Sequence, residues 1–66
     1  MYRVALIVGA QVGYGPVHAT EIEARDELRD SARSARRGSM RRLAFRFSLE
    51  WQDDDGTWIE IDAIQT

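Results

Sequence analysis

The chain is 66 residues long, enough for one domain with a single small core and too short for a second lobe or a large enclosed active site. Cysteine is absent, which excludes disulfides, thiolate metal sites and thiol nucleophiles together and fits a reducing compartment, so the expected location is cytoplasmic. A formal charge of -2 hides two opposed blocks: residues 31–49 carry six arginines and no acid, and residues 50–66 carry six acids and no base.

The first element is a strand over Met1 to Gly9. Tyr2, Val4, Leu6 and Val8 alternate with Arg3, Ala5 and Ile7, which suits a strand with both faces partly covered. The apolar run is far too short for a bilayer span and lacks the cationic region and cleavage site of a signal peptide, so no membrane segment is expected. Gly9, Gly13, Gly15 and Pro16 punctuate a connection around Val12 and Tyr14. Val17 to Ala24 then alternates again and is expected as a second strand, with Thr20, Ile22 and Ala24 facing in and Glu21 and Glu23 facing out. The same segment also suits the start of a helix, because Glu, Ala and Arg are good helix formers.

The helix is expected from an N-cap at Asp26 to a stop at Gly38. Glu27 and Asp30 lie near the positive end of its dipole, and Arg33, Arg36 and Arg37 near the negative end. Leu28, Ser31, Ala32 and Ala35 form a narrow inward stripe, and Arg25, Arg29, Arg33 and Arg36 or Arg37 follow one another on another face. Leu43, Phe45, Phe47, Leu49 and Trp51 next alternate without a break, and Asp53-Asp54-Asp55-Gly56 leads into Trp58, Ile59 and Ile61. This pattern predicts a β-hairpin whose loop is Asp54, Asp55 and Gly56, with the glycine left-handed and Asp53 paired with Thr57. Trp51 then faces Ile59, Leu49 faces Ile61 and Phe47 faces Ala63 on the inner side; Glu50 opposes Glu60, Ser48 opposes Asp62 and Gln52 opposes Trp58 on the outer side. The expected fold is therefore α+β: one antiparallel sheet of about four strands with one helix packed on one face, in the order ββαββ, over residues 1–66.

Nothing in the pattern points to catalysis, and no cofactor or metal is expected. His18 is the only histidine, so no histidine cluster can form. Glu50 and Glu60 would stand on an open face where nothing dries the site or raises a carboxyl pKa. Asp53 to Gly56 lacks the alternating acids and terminal glutamate of a calcium loop, and Gly9 to Gly15 lacks the lysine and directly following helix of a phosphate cradle.

Three binding signals remain. Glu21, Glu23, Glu50, Glu60 and Asp62 on one outward surface could imitate a phosphate backbone. Trp58 beside Gln52 on that side is a favoured type of interface anchor. Arg29, Arg33, Arg36, Arg37, Arg41 and Arg42, on the helix side and beyond it, could instead track a phosphate backbone directly. The domain is thus expected to be acidic on the open sheet and basic on the helix side.

In layout the chain resembles small phage anti-CRISPR proteins of the type I inhibitor group. The likeness lies in the short opening strand, the Gly-broken connection, Thr20-Glu21-Ile22-Glu23-Ala24 running into an Ala-spaced helix, and the closing aromatic hairpin. The resemblance implies a non-enzymatic inhibitor in the bacterial host cell that binds a Cas subunit of a type I complex and blocks nucleic-acid engagement by DNA mimicry. That group shares no diagnostic motif, so it assigns no residue. Met1 to Val8 also resembles the first strand of HicB-type antitoxins, without that family's further strands. Two alternatives stand beside the inhibitor: a small arginine-driven nucleic-acid-binding or antitoxin-like module, and a structural phage protein that self-associates, with a monomer or weak homodimer as the expected state.

Overall fold

The computed structural model describes residues 1–38 and 44–66. Elements follow in the order β1 (Tyr2–Val8), β2 (Gln11–Tyr14), α1 (Glu21–Arg37), β3 (Arg46–Gln52) and β4 (Trp58–Gln65). The four strands form one antiparallel sheet ordered β2-β1-β3-β4, and α1 packs across β1 and β3 on one face, so the α+β class and the ββαββ order stand. No helix among the described residues is long and apolar enough to cross a membrane.

The second strand lies earlier than Val17 to Ala24. Val8 pairs with Gln11 across a two-residue loop in which Gly9 takes a φ of 59°, the positive value that a tight hairpin needs at its first loop position. Glu21 to Ala24 belong to the helix instead. Thr20 is the N-cap: its Oγ1 accepts the Glu23 amide at 3.3 Å and its hydroxyl donates to Glu23 Oε1 at 2.9 Å. Thr20-Glu21-Ile22-Glu23 thus has capping-box spacing, with the Glu23 carboxylate on the Thr20 hydroxyl in place of its amide, and it starts the helix at Glu21, five residues before Asp26; Asp26 sits inside the helix and pairs with Arg29. The 17-residue helix ends at Gly38, whose amide donates to the Ser34 carbonyl at 3.0 Å.

The core lies between α1 and the middle of the sheet. Ala24, Leu28 and Ala32 bury one stripe of the helix against Val4, Phe45, Phe47 and Leu49, with Tyr2, Leu6, Val8, Ala35 and Ile64 around them. Leu49 is fully buried at 0% exposure. Leu43, expected to face inward, falls outside the described residues, as do Arg41 and Arg42.

The closing hairpin follows expectation near its loop and departs from it further along. The Asp53 amide donates to the Thr57 carbonyl at 2.9 Å, and Gly56 takes a φ of 83°. Gln52 opposes Trp58, Trp51 opposes Ile59 and Glu50 opposes Glu60. A β-bulge at Ile61 then shifts the register by one: Leu49 faces Asp62, Ser48 faces Ala63 and Phe47 faces Ile64. The physical gain is that Ile64 reaches the core beside Phe47, and Asp62 turns to the helix side where Arg25 meets it.

The position of the cap is open to a direct test. Thr20→Ala should cost about 1 kcal/mol of stability, whereas Asp26→Ala should cost much less, as expected of a surface i,i+3 pair. Urea denaturation of both variants checks this; the reverse ranking would place the helix start at Asp26.

Candidate functional site

The open face of the sheet, away from α1, carries a closed layer of polar and aromatic contacts. Arg3 on β1 stands between two rings, its guanidinium carbon 3.9 Å from the Tyr14 centroid on β2 and 4.1 Å from that of Trp58 on β4. Its Nε donates to Glu50 Oε1 at 2.6 Å. Beside it, one guanidinium nitrogen of Arg46 donates to both oxygens of Glu60, at 2.9 and 2.8 Å, and the Ser48 hydroxyl donates to the same carboxylate at 2.6 Å. These side chains lie over Ala5 and Ser48, which are buried at the centre of the face.

The six acidic-face candidates thus do not share one open surface. Glu50, Glu60 and Trp58 are on the open face, each engaged with an arginine. Glu21 and Glu23 are in the first turn of α1 rather than on a strand. Asp62 lies on the helix side because of the bulge, and Arg25 links it to Glu21, with 2.7 Å contacts to both. Glu50 and Glu60 do oppose each other as the residue order implies, but an arginine for each carboxylate removes most of the repulsion that unpaired acids would have there.

The titration behaviour follows from these contacts. The Ser48 hydroxyl and then the Arg46 guanidinium hold the Glu60 carboxyl below its ordinary 4.5. Arg25 and then the Ala63 amide hold Asp62 below its ordinary 3.8. Hydrogen bonds to Glu21 and then Asp62 raise the Arg25 guanidinium above its ordinary value.

His18 is also engaged. Its backbone bridges to Tyr2 through two hydrogen bonds, at 2.9 and 2.7 Å, and its Nε2 lies 2.6 Å from Glu27 Oε1. With a strand expected over Val17 to Ala24, residue order gives no sign of this contact. Once the helix starts at Glu21, Glu23 and Glu27 sit one turn apart, and both reach the ring, Glu23 at 4.0 Å. A Cβ at Gly15 would collide with the Glu27 carboxylate, so the glycine lets the connection close against this pair. The contact ties the connection to the helix. Among the described residues no three His, Asp or Glu side chains converge as metal ligands.

On α1, Arg29 pairs with Asp26, and Arg33 lies 4.0 Å from Asp30. Among the described residues no carboxylate lies within ion-pair reach of Arg36 or Arg37. With Arg29, Arg33, Ala32 and Ile64 they line a groove of about 290 Å³ between the end of α1 and β4. At the hairpin tip the Asp53 side chain accepts the amides of Asp55 and Thr57, while Asp54 and Asp55 are exposed with no cation beside them among the described residues.

These two unpaired groups occupy opposite ends of the molecule. Thr20 begins α1 two residues after His18, which is bridged to Tyr2, and Tyr2 pairs with Trp51 next to the hairpin loop. The far end of α1 lies by Ile64 and beside Phe45, where β3 begins. The separation of charge therefore runs along the length of α1, from end to end rather than from face to face.

No protein-family model, curated protein or solved structure matches the chain.

Both depressed carboxyls make the fold sensitive to acid. A carboxyl lowered by folding stabilises the native state above its unfolded pKa, and that stability is lost as pH falls through the folded value. The urea midpoint should therefore hold from pH 7 to about 5 and fall progressively below the ordinary values of 4.5 and 3.8. Glu60→Gln should flatten part of that fall; an identical profile in the variant would show that the pairing with Ser48 and Arg46 contributes nothing.

Proposed function

We propose that the chain is a small non-enzymatic binding module whose contact surface is the arginine end of α1, formed by Arg29, Arg33, Arg36 and Arg37, and that its partner is a nucleic-acid backbone. Arg41 and Arg42 follow closely in sequence and extend the same block of charge. The observation that carries this reading is the distribution of partners. Glu21, Glu50, Glu60 and Asp62 on the helix and sheet are each bonded to an arginine of the chain itself, and the two arginines with no carboxylate in reach among the described residues, Arg36 and Arg37, lie at one exposed helix end beside Arg29 and Arg33. Guanidinium groups bond phosphate oxygens in forked pairs, and their release of counterions makes such binding strongly dependent on salt. Contacts of this kind carry no base sequence, so the module should bind without strong sequence preference.

The second reading, a phage-type inhibitor that blocks a type I CRISPR complex by DNA mimicry, draws its support from the hairpin. Asp54 and Asp55 are exposed there with no cation beside them among the described residues, and Trp58 lies half-buried in the same hairpin. That reading predicts retention of a Cas subunit from nuclease-treated lysate, abolished by Asp54→Lys with Asp55→Lys.

Fluorescence anisotropy with a labelled oligonucleotide tests the first reading. Affinity should fall steeply with salt, and Arg36→Gln with Arg37→Gln should flatten the logarithmic slope by about 0.9 for each phosphate that the variant no longer neutralises. Absence of binding at low salt, or a slope unchanged in the double variant, would refute it.

A further inference from the structure

Two groups left without an ion-pair partner among the described residues are complementary to each other, and each molecule carries both. At one end Arg36 and Arg37, with Arg29 and Arg33 beside them on Asp26 and Asp30, line a groove that also includes Ala32 and Ile64. At the other, a three-residue loop presents Asp54 and Asp55 on a narrow hairpin tip, shaped by the Asp53 side chain and Gly56. The tip lies by the start of the 17-residue helix and the groove by its end, so a chain's own tip cannot reach its own groove. Another copy's tip can.

We infer that the arginine groove takes the aspartate tip of a second copy of this chain, so that molecules associate head to tail in low salt. The contact is heterologous: each copy that fills one groove leaves its own groove free for the next. Such an interface grows into chains unless the rotation between copies closes a ring. Hydrogen bonds between guanidinium and carboxylate supply the attraction, and the exposure of both groups makes it sensitive to screening, with a Debye length of about 10 Å at 0.1 M salt. The edge strands do not offer a better route to self-association. β2 is only four residues long, and β4 carries a bulge together with Glu60 and Asp62, features that discourage strand pairing between molecules. The inference does not depend on the nucleic-acid reading, because association is measured with no nucleic acid present. If both hold, a neighbour's tip and a phosphate backbone compete for the same arginines.

Sedimentation velocity and a charge swap test the inference. In about 0.01 M salt, where the Debye length is about 30 Å, the average mass should rise with concentration above the 7.6 kDa monomer and pass beyond a dimer; in 1 M salt it should return to the monomer. Asp54→Lys with Asp55→Lys should be monomeric alone, since its tip and groove are both basic. Arg36→Glu with Arg37→Glu should be monomeric alone for the opposite reason. Mixed in equal amounts, the two should recover association, because each tip then meets a groove of opposite sign. Circular dichroism establishes that both variants are folded. A native chain that stays monomeric at low salt, association that persists in either variant alone, or a mixture that stays monomeric would each overturn the inference.

Discussion

The guanidinium of Arg3, stacked between Tyr14 and Trp58 and bonded to Glu50, governs how the open side of this sheet is built. It links side chains from all four strands, since Tyr14 is on β2, Arg3 on β1, Glu50 on β3 and Trp58 on β4. An arginine in that position neutralises the first carboxylate of the face and leaves the second, Glu60, to Arg46 and Ser48. The side of the sheet without a helix is therefore covered by a layer of paired charges over Ala5 and Ser48 instead of a row of bare acids. Outside this layer Arg25 joins Glu21 to Asp62, and among the described residues Arg36, Arg37, Asp54 and Asp55 have no ion-pair partner.

The single helix imposes the second constraint. It packs over β1 and β3 and cannot cover the outer strands as well, so Trp51, Ile59 and Ile61 stay partly exposed toward β4. The bulge at Ile61 and the bridge from Arg25 to Asp62 hold that flank to the helix by polar contact, and Ile64 supplies its apolar contact with the core. For a domain of this size such surface contacts matter, because the buried core is small relative to the exposed area. The groove at the end of α1 is lined by Ala32 from the helix and Ile64 from β4, with arginines around them.

Much of this architecture is legible from residue order. The alternation from Tyr2 to Val8, the run from Phe45 to Trp51 and the Asp54-Asp55-Gly56 loop each specify their local structure, and the hairpin register near the loop follows from them. The start of the helix is not, because Thr20, Ile22 and Ala24 alternate with Glu21 and Glu23 as a strand would. The deciding signal is the spacing of Thr20 and Glu23, whose reciprocal bonds outweigh five residues of alternation. The bulge is not legible either: Glu60 and Asp62, two apart, would share a face in a regular strand, and the structure puts Glu60 opposite Glu50 and Asp62 opposite Leu49. For the candidate site, the sequence displays the charge blocks but not the pairing between them. Arg3, Arg25 and Arg46 find carboxylates on other elements only once sheet order and the bulge are set, and so the expected acidic and basic faces give way to two residual poles.

The end of α1, and not the open sheet, is the proposed anion-binding surface. Two-dimensional amide NMR during titration with a short single-stranded oligonucleotide in low salt tests this most directly. Shifts confined to the stretch from Arg29 through Arg42, with movement of the Arg36 and Arg37 side-chain signals, are the predicted result. Shifts centred on Glu50, Trp58 and Glu60, with the helix end unmoved, would contradict it.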